Sequence, residues 1–456
     1  MAKIKTKWIC QNCGYETAKY MGKCPECGSW GTFTEEFVST DTQNTKNTSP
    51  NLTESKVYKI NEIKTEERAR LNTGFEEFDR VLGGGAVSGS VILIAGDPGI
   101  GKSTLVLQTA DTIAKQNKKV LYVCAEESAS QVKLRAERLN VNSENIYIYS
   151  QTDIESIKKE IKNIRPDFLI IDSIQAVFDR EITSGAGSVS QIRECTNVFT
   201  EIAKAENITT IIIGHVTKDG SIAGPRVLEH MTDVVLNFEG DKYKTYRILR
   251  SIKNRFGCTN EIGIFNMAEN GLCEITNPCE IFLSERSEAI TPGSTIIAAS
   301  EGSRILTAEI QALVGTTNYP APRRVANGTD YNRLLQILAV IEKRIGLKFN
   351  NTDVYVNITG GIEIDEPAAD LGIALAIITC ARDVIVSPDT VLVGEIGLAG
   401  EIRKVNNIEK RIAEAQKLGF KKIIIPKGNI VTKNKFEIEV IEAERISDAV
   451  TSCVHR

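Results

Sequence analysis

The sequence predicts an α/β protein, and three observations support this fold class. Apolar runs of strand length alternate with helical patterns through the middle of the 456-residue chain. One of these runs leads into a glycine-rich loop that opens a helix, as in parallel sheets covered by helices. Two closely spaced Cys-x-x-Cys motifs precede this region. We therefore expect a cysteine-rich N-terminal module, an α/β core, and a further domain in the remaining length.

The composition is that of an ordinary globular protein, with 42% hydrophobic and 25% charged residues. Because the formal net charge is −4, any nucleic-acid binding must come from local basic patches or an assembled channel. No apolar run approaches the roughly 18 residues that span a membrane, and no signal peptide precedes the first cysteines. We therefore expect a cytoplasmic protein without membrane association, whose 11 cysteines are thiols or metal ligands.

Two Cys-x-x-Cys turns separated by ten residues predict a zinc ribbon in residues 1–37. The four thiolates belong to Cys10, Cys13, Cys24 and Cys27. Such a tetrahedral sulfur site suits Zn²⁺, and in so short a segment the metal must supply folding energy. A redox Cys-x-x-Cys is the alternative, but the βαβ unit that usually accompanies it is missing here. The polar residues 38–58 are predicted to form a flexible linker.

Between a predicted strand at 90–95 and a predicted helix lies the pattern G-x-x-x-x-G-K-S, which is the phosphate-binding P-loop. A strand that feeds a glycine loop opening a helix aims backbone N–H groups and a helix dipole at one point. Lys102 can reach the β- and γ-phosphates, and the Ser103 hydroxyl can bind Mg²⁺. The predicted ATP-binding residues are Gly96, Asp97, Pro98, Gly99, Ile100, Gly101, Lys102, Ser103 and Thr104.

Acidic residues end two other predicted strands, where α/β sheets bind their ligands. Asp172 fits a Walker B aspartate that supports Mg²⁺, with a helix N-cap as the alternative role. Of Glu126 and Glu127, one should polarise the attacking water as general base, and Glu126 is nearer the strand end. Alternatively, this pair only begins the next helix. His215 ends a fourth strand and could contact the γ-phosphate, although a lone histidine is more often structural.

A basic segment, Lys-Asn-Arg-Phe-Gly at 253–257, follows a predicted strand at 246–250. Lys253 and Arg255 could reach the γ-phosphate of a neighbouring subunit, as arginine fingers do. From the residues alone, a solvated hairpin is an equally good interpretation.

Together these motifs resemble the RadA (Sms) family of bacterial DNA-repair proteins over nearly the whole chain. The matching segments are the four-cysteine ribbon, the glycines at 74 and 83–85, the P-loop, 125–128, 188–194, 214–220 and 253–257. The resemblance implies a RecA-like P-loop ATPase, here at 59–276, which forms homo-hexameric rings on single-stranded and branched DNA. It implies a helicase-like motor that promotes branch migration in homologous recombination, with a RecA-type recombinase as partner. It also implies that Lys253 and Arg255 act in trans.

In the RecA-like arrangement that this resemblance implies, two loops face the DNA. They correspond here to residues 180–191, which are rich in Gly and Ser, and to residues 218–226, which contain Lys218 and Arg226. A ring would repeat these few contacts six times, which reconciles DNA binding with the net charge of −4. The alternative is that both segments are only surface loops.

The remaining residues, 277–456, resemble an α+β Lon-type protease domain in the stretches 360–372 and 394–403. Lon-type proteases use a Ser–Lys dyad, in which the lysine activates the nucleophile. Here Ala368 occupies the serine position, and the lysine position falls at Glu409, Lys410 or Arg411. We therefore expect an inactive protease-like domain that serves as an assembly platform.

Arg323 and Arg324 of this domain are candidate DNA contacts, with a solubilising role as the alternative. The motifs thus predict an ATPase, and the resemblance implies that it depends on DNA. A regulatory ATPase of the RecA/clock type, without DNA motor activity, is the alternative, because such proteins share the paired glutamates and the glycine-rich entry. An ATP-dependent protease is disfavoured by Ala368.

Overall fold

The computed structural model describes residues 5–10, 14–26, 28–38, 70–215, 226–240, 246–259, 261–275, 291–317, 319, 321–361, 363–429 and 436–455. The chain divides into two compact units, residues 1–275 and residues 276–456. Cys13, Cys27, Lys218 and almost all of the predicted linker lie outside the described residues. Among the helices of the described ranges, none combines the length and apolar character required to cross a bilayer.

The N-terminal module is a three-stranded antiparallel sheet in which the first strand is central. Its strands are β1 (Lys5–Cys10), β2 (Glu16–Thr17) and β3 (Phe33–Val38). Among its described residues, Cys10, Cys24 and Phe33 form a small core with Trp8 packed against them, and Ile9 is also buried. A core as small as the one these described residues form cannot stabilise a domain by apolar burial alone, which agrees with the expected need for a metal.

A nine-stranded sheet forms the centre of the first unit. The elements of this region are β4 (Arg70–Leu71), α1 (Glu76–Leu82), β5 (Ala86–Val87), β6 (Val91–Gly96), α2 (Lys102–Lys115), β7 (Val120–Cys124), α3 (Ala129–Arg138), β8 (Ile146–Tyr149), α4 (Ile154–Ile164), β9 (Phe168–Asp172), α5 (Val189–Glu206), β10 (Thr209–Ile213), α6 (Arg226–Met231), β11 (Val234–Glu239), β12 (Tyr246–Asn254), β13 (Ile262–Ala268) and β14 (Gly271–Glu274). A single 3-10 turn, Ile174–Ala176, follows β9.

The strand order is β14-β13-β12-β11-β6-β10-β9-β7-β8. The six strands from β11 to β8 are parallel, and β12, β13 and β14 add an antiparallel extension. Alternate residues of β6 pack into different cores, Val91 and Leu93 on one face and Ile92 and Ile94 on the other. Burial on both faces explains the continuous apolar runs of the parallel strands. The predicted α/β fold class is confirmed.

One predicted boundary differs from the structure. The strand expected at 246–250 continues to Asn254, because Val234 and Val235 of β11 pair with Asn254 and Lys253. Lys253 therefore lies on a strand, and the turn itself consists of residues 255–257.

The second unit is built on a seven-stranded mixed sheet in the order β17-β18-β16-β15-β20-β23-β24. Its elements are β15 (Ser294–Glu301), β16 (Arg304–Thr316), β17 (Arg324–Asn327), α7 (Tyr331–Ile345), β18 (Thr352–Ile358), α8 (Asp370–Arg382), β19 (Ile385–Val386), β20 (Thr390–Leu392), β21 (Glu395–Ile396), β22 (Ile402–Arg403), α9 (Ile408–Lys417), β23 (Lys422–Pro426), β24 (Glu439–Ala443), α10 (Ile446–Cys453) and β25 (Val454–His455). Two 3-10 turns, Thr359–Gly361 and Pro367–Ala369, precede α8.

Candidate functional site

The P-loop connects the end of β6 to the start of α2, as the sequence predicts. Gly96 has φ 153° and Gly101 has φ 120°, and both values favour glycine. A Cβ on Gly96 would lie 2.4 Å from the carbonyl oxygen of Phe238 on the neighbouring strand. This close approach explains why the loop begins with glycine, and it leaves the loop N–H groups at the helix N-terminus, where anions bind.

The Lys102 side chain lies inside this loop and is only 4% exposed. Its Nζ donates to the carbonyl oxygens of Gly96 at 2.7 Å and Asp97 at 2.9 Å. Burial lowers the pKa of Lys102 to about 8, although Asp172, Asp97 and Glu126 favour its charged form. A desolvated ammonium with weak carbonyl partners is well suited to exchange them for phosphate oxygens.

Asp172 ends β9 beside the P-loop. Its Oδ2 accepts a hydrogen bond from the Tyr122 hydroxyl at 2.5 Å, and the Ser103 side chain also bonds to this carboxylate. Burial raises the pKa of Asp172, and these two hydrogen bonds oppose that rise. A hydroxyl and a carboxylate are the hard oxygen donors that Mg²⁺ prefers, so Ser103 and Asp172 fit the predicted metal.

Glu126 is part of the same cluster. Its Oε1 accepts from His215 Nε2 at 3.2 Å and from the hydroxyl of the fully buried Ser173. The hydrogen bond from His215 lowers the pKa of Glu126, so the carboxylate is ionised and able to accept a proton. His215 Nδ1 lies 3.4 Å from Lys102 Nζ. The structure therefore brings together Lys102, Glu126 and His215.

Glu127 has different surroundings, although it is the next residue. Its Oε1 lies 2.5 Å from Arg135 of α3, and its carbonyl oxygen accepts from the Ser150 hydroxyl. Ser128 then caps α3 in a capping box with Gln131. The side-chain contact of Glu127 is thus with the last turn of α3, whereas those of Glu126 lie in the phosphate-binding cluster.

Lys253 and Arg255, which are predicted to reach the γ-phosphate of a neighbouring subunit, lie at the end of the parallel strands opposite to the P-loop. Arg255 Nη1 is 3.2 Å from Asp233 Oδ1, and Asp233 Oδ2 accepts from the backbone N–H of Val91, the first residue of β6. The P-loop begins at Gly96, the last residue of β6, and this six-residue strand is about 16 Å long. Within one subunit, the structure thus does not bring Lys253 and Arg255 to the P-loop.

The turn after Lys253 packs on the glycines that follow α1. Gly83 has φ 84°, and a Cβ there would lie 2.9 Å from Gly257 Cα and 3.2 Å from the Phe256 carbonyl oxygen. Asn254 Nδ2 donates to the carbonyl oxygen of Val81 at 3.1 Å, and Lys253 Nζ donates to the carbonyl oxygens of Glu229 in α6 and of Thr232 just after it. The basic turn is thus fixed by backbone contacts on both sides.

Of the two predicted DNA-facing loops, the structure describes the first. Gln191 is buried at the start of α5, and its amide nitrogen donates to the carbonyls of Asp179, Ile182 and Ser184. Its Oε1 accepts from the Asp179 N–H. One side chain therefore shapes the Gly- and Ser-rich loop. Arg226 begins α6; its side chain and most of the second loop lie outside the described residues.

The two described ribbon cysteines occupy matching turns. The Cys10 N–H donates to the Tyr15 carbonyl and the Cys24 N–H to the Ser29 carbonyl, at 2.9 and 2.8 Å. Gly14 and Gly28, four residues after these cysteines, bond back to them with φ of 75° and 74°. Equivalent turns that bury Cys10 and Cys24 in one core fit a shared metal.

In the second unit, Arg323 and Arg324 have different surroundings. The Arg323 guanidinium stacks 3.7 Å above the ring of the exposed Tyr319. The Arg324 guanidinium instead donates to the carbonyls of Arg323, Thr352 and Phe349. Arg323 thus remains the more accessible of the two candidate DNA contacts.

Ala368 is buried, and of the three possible lysine positions only Arg411 lies inside the domain. Its wholly buried guanidinium donates to Glu366 and to the Ala298 carbonyl, whereas Glu409 and Lys410 are exposed. Because an arginine stays protonated, it cannot serve as the base of a dyad.

Sequence reasoning missed Tyr122, Ser173 and Gln191. A tyrosine in an otherwise apolar buried strand is the signal that could have identified Tyr122, since its hydroxyl requires a partner. Ser173 follows no such rule, because its partner Glu126 lies 47 residues away. The partners of Gln191 lie only 7 to 12 residues before it, but they are backbone groups of an irregular loop, which no sequence pattern marks.

Three family models match the chain. The model described as AAA domain matches residues 59–221, and the model described as Rubredoxin metal binding domain matches residues 8–35. The third, described as Subunit ChlI of Mg-chelatase, matches residues 332–429. The similarity of the C-terminal unit to Lon-type proteases therefore stays a prediction.

The chain is similar to curated proteins over 99% of its length. It is 50% identical over 454 residues to the DNA repair protein RadA of Bacillus subtilis (strain 168), covering 99% of both chains. It is 49% identical over 452 residues to the DNA repair protein RadA of Halalkalibacterium halodurans, again covering 99% of both. A solved KaiC-like protein from Pyrococcus horikoshii OT3 aligns at 22% identity with 45% of this chain and 99% of its own, with a TM-score of 0.38.

Proposed function

The chain belongs to the RadA family of DNA repair proteins, and from this premise we propose that it couples ATP hydrolysis to movement on DNA. It is an ATP hydrolase with a RecA-like P-loop core and a metal-binding ribbon. The proposed substrate is single-stranded and branched DNA, and the proposed outcome is branch migration during homologous recombination. A homo-hexameric ring, a RecA-type recombinase as partner and a cytoplasmic location belong to the same proposal.

The proposed chemistry follows from the residues around the P-loop. Lys102 holds the phosphates, and Ser103 and Asp172 would hold Mg²⁺, which would supply positive charge to neutralise the charge that develops during phosphoryl transfer. Glu126 orients the attacking water and accepts its proton, because its carboxylate is ionised and lies in this cluster. Ser173 and His215 fix the direction of the Glu126 carboxylate.

One observation carries the assembly proposal. Lys253 and Arg255 contact Thr232 and Asp233 beside Val91, the first residue of β6, whereas the P-loop begins at the last residue of this strand. A side chain at one edge of the sheet cannot reach a phosphate at the other edge of the same subunit. A neighbouring subunit can present this edge to the nucleotide, as arginine fingers acting in trans do. The contacts of the turn with Gly83 and Val81 would keep the two cations oriented for that task.

A mixing experiment tests the role in trans. Lys102→Ala subunits keep Lys253, and Lys253→Ala subunits keep the P-loop, so a mixed assembly contains complete sites in which each variant supplies one half. We expect each variant alone to lose ATP turnover and the mixture to regain a substantial fraction of it. Turnover equal to the sum of the separate variants would contradict the proposal. Lys133→Ala, which changes an exposed lysine of α3, is the matched control.

DNA stimulation separates the motor from the regulatory alternative. Phosphate release should increase strongly when single-stranded DNA is added, and Lys253→Ala should abolish this increase. Turnover that is indifferent to DNA would favour a regulatory ATPase of the clock type. The loop organised by Gln191 supports DNA contact, because backbone groups held in one shape on every subunit can follow a nucleic-acid backbone.

The metal of the ribbon is proposed to be Zn²⁺, since a tetrahedral set of thiolates favours it. Its role is structural because four protein ligands leave no open coordination position for catalysis. The C-terminal unit is proposed to support assembly without peptidase activity.

A further inference from the structure

Tyr122 is the one polar side chain in the middle of β7, whose five residues are all buried. Its ring lies in the core beneath the sheet with no exposed surface. A buried phenol normally finds a partner for its hydroxyl. Here that partner is the carboxylate of Asp172 on the adjacent parallel strand, where the two oxygens lie 2.5 Å apart.

This hydrogen bond restricts the Asp172 carboxylate. Oδ2 accepts from a phenol that is itself fixed by the core, and the Ser103 hydroxyl bonds to the same carboxylate from the P-loop side. Without the phenol, the carboxylate could rotate about its terminal torsion, which is broad for aspartate. The hydroxyl of Tyr122 therefore determines which oxygen Asp172 presents toward Ser103.

We propose that Tyr122 is a positioning residue for Mg²⁺, acting through Asp172 without contacting the metal or the nucleotide. This inference rests on the proposed role of Asp172 as a partner of Mg²⁺. Residues that orient metal-binding side chains in this way commonly change metal affinity or activity by 10- to 100-fold when they are replaced. Tyr122 should therefore influence the part of nucleotide binding that depends on Mg²⁺ and leave the metal-independent part unchanged.

The test is direct binding of a fluorescent ADP analogue with Mg²⁺ and with EDTA, without turnover. In Tyr122→Phe we expect the gain in affinity from Mg²⁺ to fall about tenfold, while the affinity in EDTA stays at the wild-type value. The matched control is Tyr147→Phe, which removes an exposed hydroxyl from the neighbouring strand. An undiminished Mg²⁺ gain in Tyr122→Phe would overturn the proposal.

Asp172→Ala distinguishes a failure of the role proposed for Tyr122 from a failure of the role proposed for Asp172. Loss of the Mg²⁺ gain in Asp172→Ala but not in Tyr122→Phe would refute only the role of Tyr122. Retention of the gain in Asp172→Ala would refute the proposed role of Asp172 and with it the inference. Circular dichroism establishes folding, and Tyr122→Met, which fills much of the same volume without a donor, repeats the test if the phenylalanine variant is unstable.

Discussion

His215 donates from Nε2 to Glu126 Oε1 across 3.2 Å. Its other ring nitrogen, Nδ1, lies 3.4 Å from Lys102 Nζ, an ammonium that can only donate. A neutral ring that accepts at Nδ1 must carry its proton on Nε2. The imidazole therefore links the phosphate-binding lysine to the proposed general base, and movement of Lys102 toward a phosphate would alter the constraint on Glu126.

The two adjacent glutamates should differ sharply in function. Glu126→Gln removes the proton acceptor, so we expect turnover to fall by about 10²- to 10⁴-fold while nucleotide affinity is retained. Phosphate release and binding of a fluorescent ADP analogue measure the two quantities.

Glu127→Gln is the matched control, because the Glu127 carboxylate pairs with Arg135 and not with His215 or Ser173. It should retain most of the turnover. If Glu127→Gln were the inactive variant and Glu126→Gln the active one, the assignment of the general base would be reversed.

Nucleotide affinity should depend on pH through Lys102. Burial lowers its pKa to about 8, and the charged form is the one that phosphates attract. The charged fraction is nearly complete at pH 7 and about a tenth at pH 9, so affinity for an ADP analogue in EDTA should fall about tenfold over this range.

The direction of this pH dependence follows from proton uptake on binding. Binding favours protonated Lys102, so above pH 8 the protein must take up a proton to bind, and affinity decreases as pH rises. Lys102→Met binds more weakly but should lose this slope. The same slope in Lys102→Met, or a flat profile in the wild type, would show that another group is responsible.

The glycine contact beneath the basic turn should be essential. Gly83→Ala places a methyl group 2.9 Å from Gly257 Cα at a φ of 84°, so we expect a loss of about 1–3 kcal/mol in the free energy of unfolding. Displacement of the turn should also reduce DNA-stimulated turnover. Thermal unfolding and phosphate release measure the two effects.

Gly84→Ala is the control, since its φ is also positive but a Cβ would meet only the Arg70 side chain at 3.7 Å. Gly84→Ala should lower the free energy of unfolding because of the positive φ, but it should not displace the turn. Equal loss of DNA-stimulated turnover in both variants would mean that the contact with Gly257 is not the cause.

Zinc should be required for the ribbon to fold but not for the ATPase core to function. Because a metal-dependent module gains its folding free energy from the ion, Cys24→Ser should lose the bound zinc measured by elemental analysis. The RecA-like core has its own apolar cores, so basal ATP turnover should persist.

The exposed Cys258 supplies the control, because Cys258→Ser removes a thiol outside the ribbon. Unchanged zinc content in Cys24→Ser would refute the four-cysteine site. Loss of zinc in Cys258→Ser would point to a different ligand set.

Much of the core could be predicted because its signals are local. The P-loop spacing placed Lys102 and Ser103 between a strand and a helix, and the apolar run ending at Asp172 located its strand. Parallel strands place their carboxyl ends together, so Glu126 and His215 could be assigned to one edge before any coordinates.

The remaining features depend on contacts between distant parts of the chain. Sequence alone left Glu126 and Glu127 nearly equivalent, and only the partners His215 and Arg135 distinguish them. The strand containing Lys253 was predicted too short, because its last residues pair with β11. The need for glycine at position 83 could not be predicted either, because Gly257, whose backbone Gly83 approaches, lies 174 residues away.

The shared strand β6 has a consequence for mixed populations of the protein. Asp233 bonds both to Arg255 and to Val91, the first residue of β6, and the P-loop begins at Gly96, the last residue of this strand. In the proposed ring, each subunit would therefore serve two catalytic centres, its own and that of a neighbour. A subunit altered in both Lys102 and Lys253 would silence two centres at once, so a minority of such chains should poison an assembly and behave as a dominant-negative allele in a cell that also makes the normal protein.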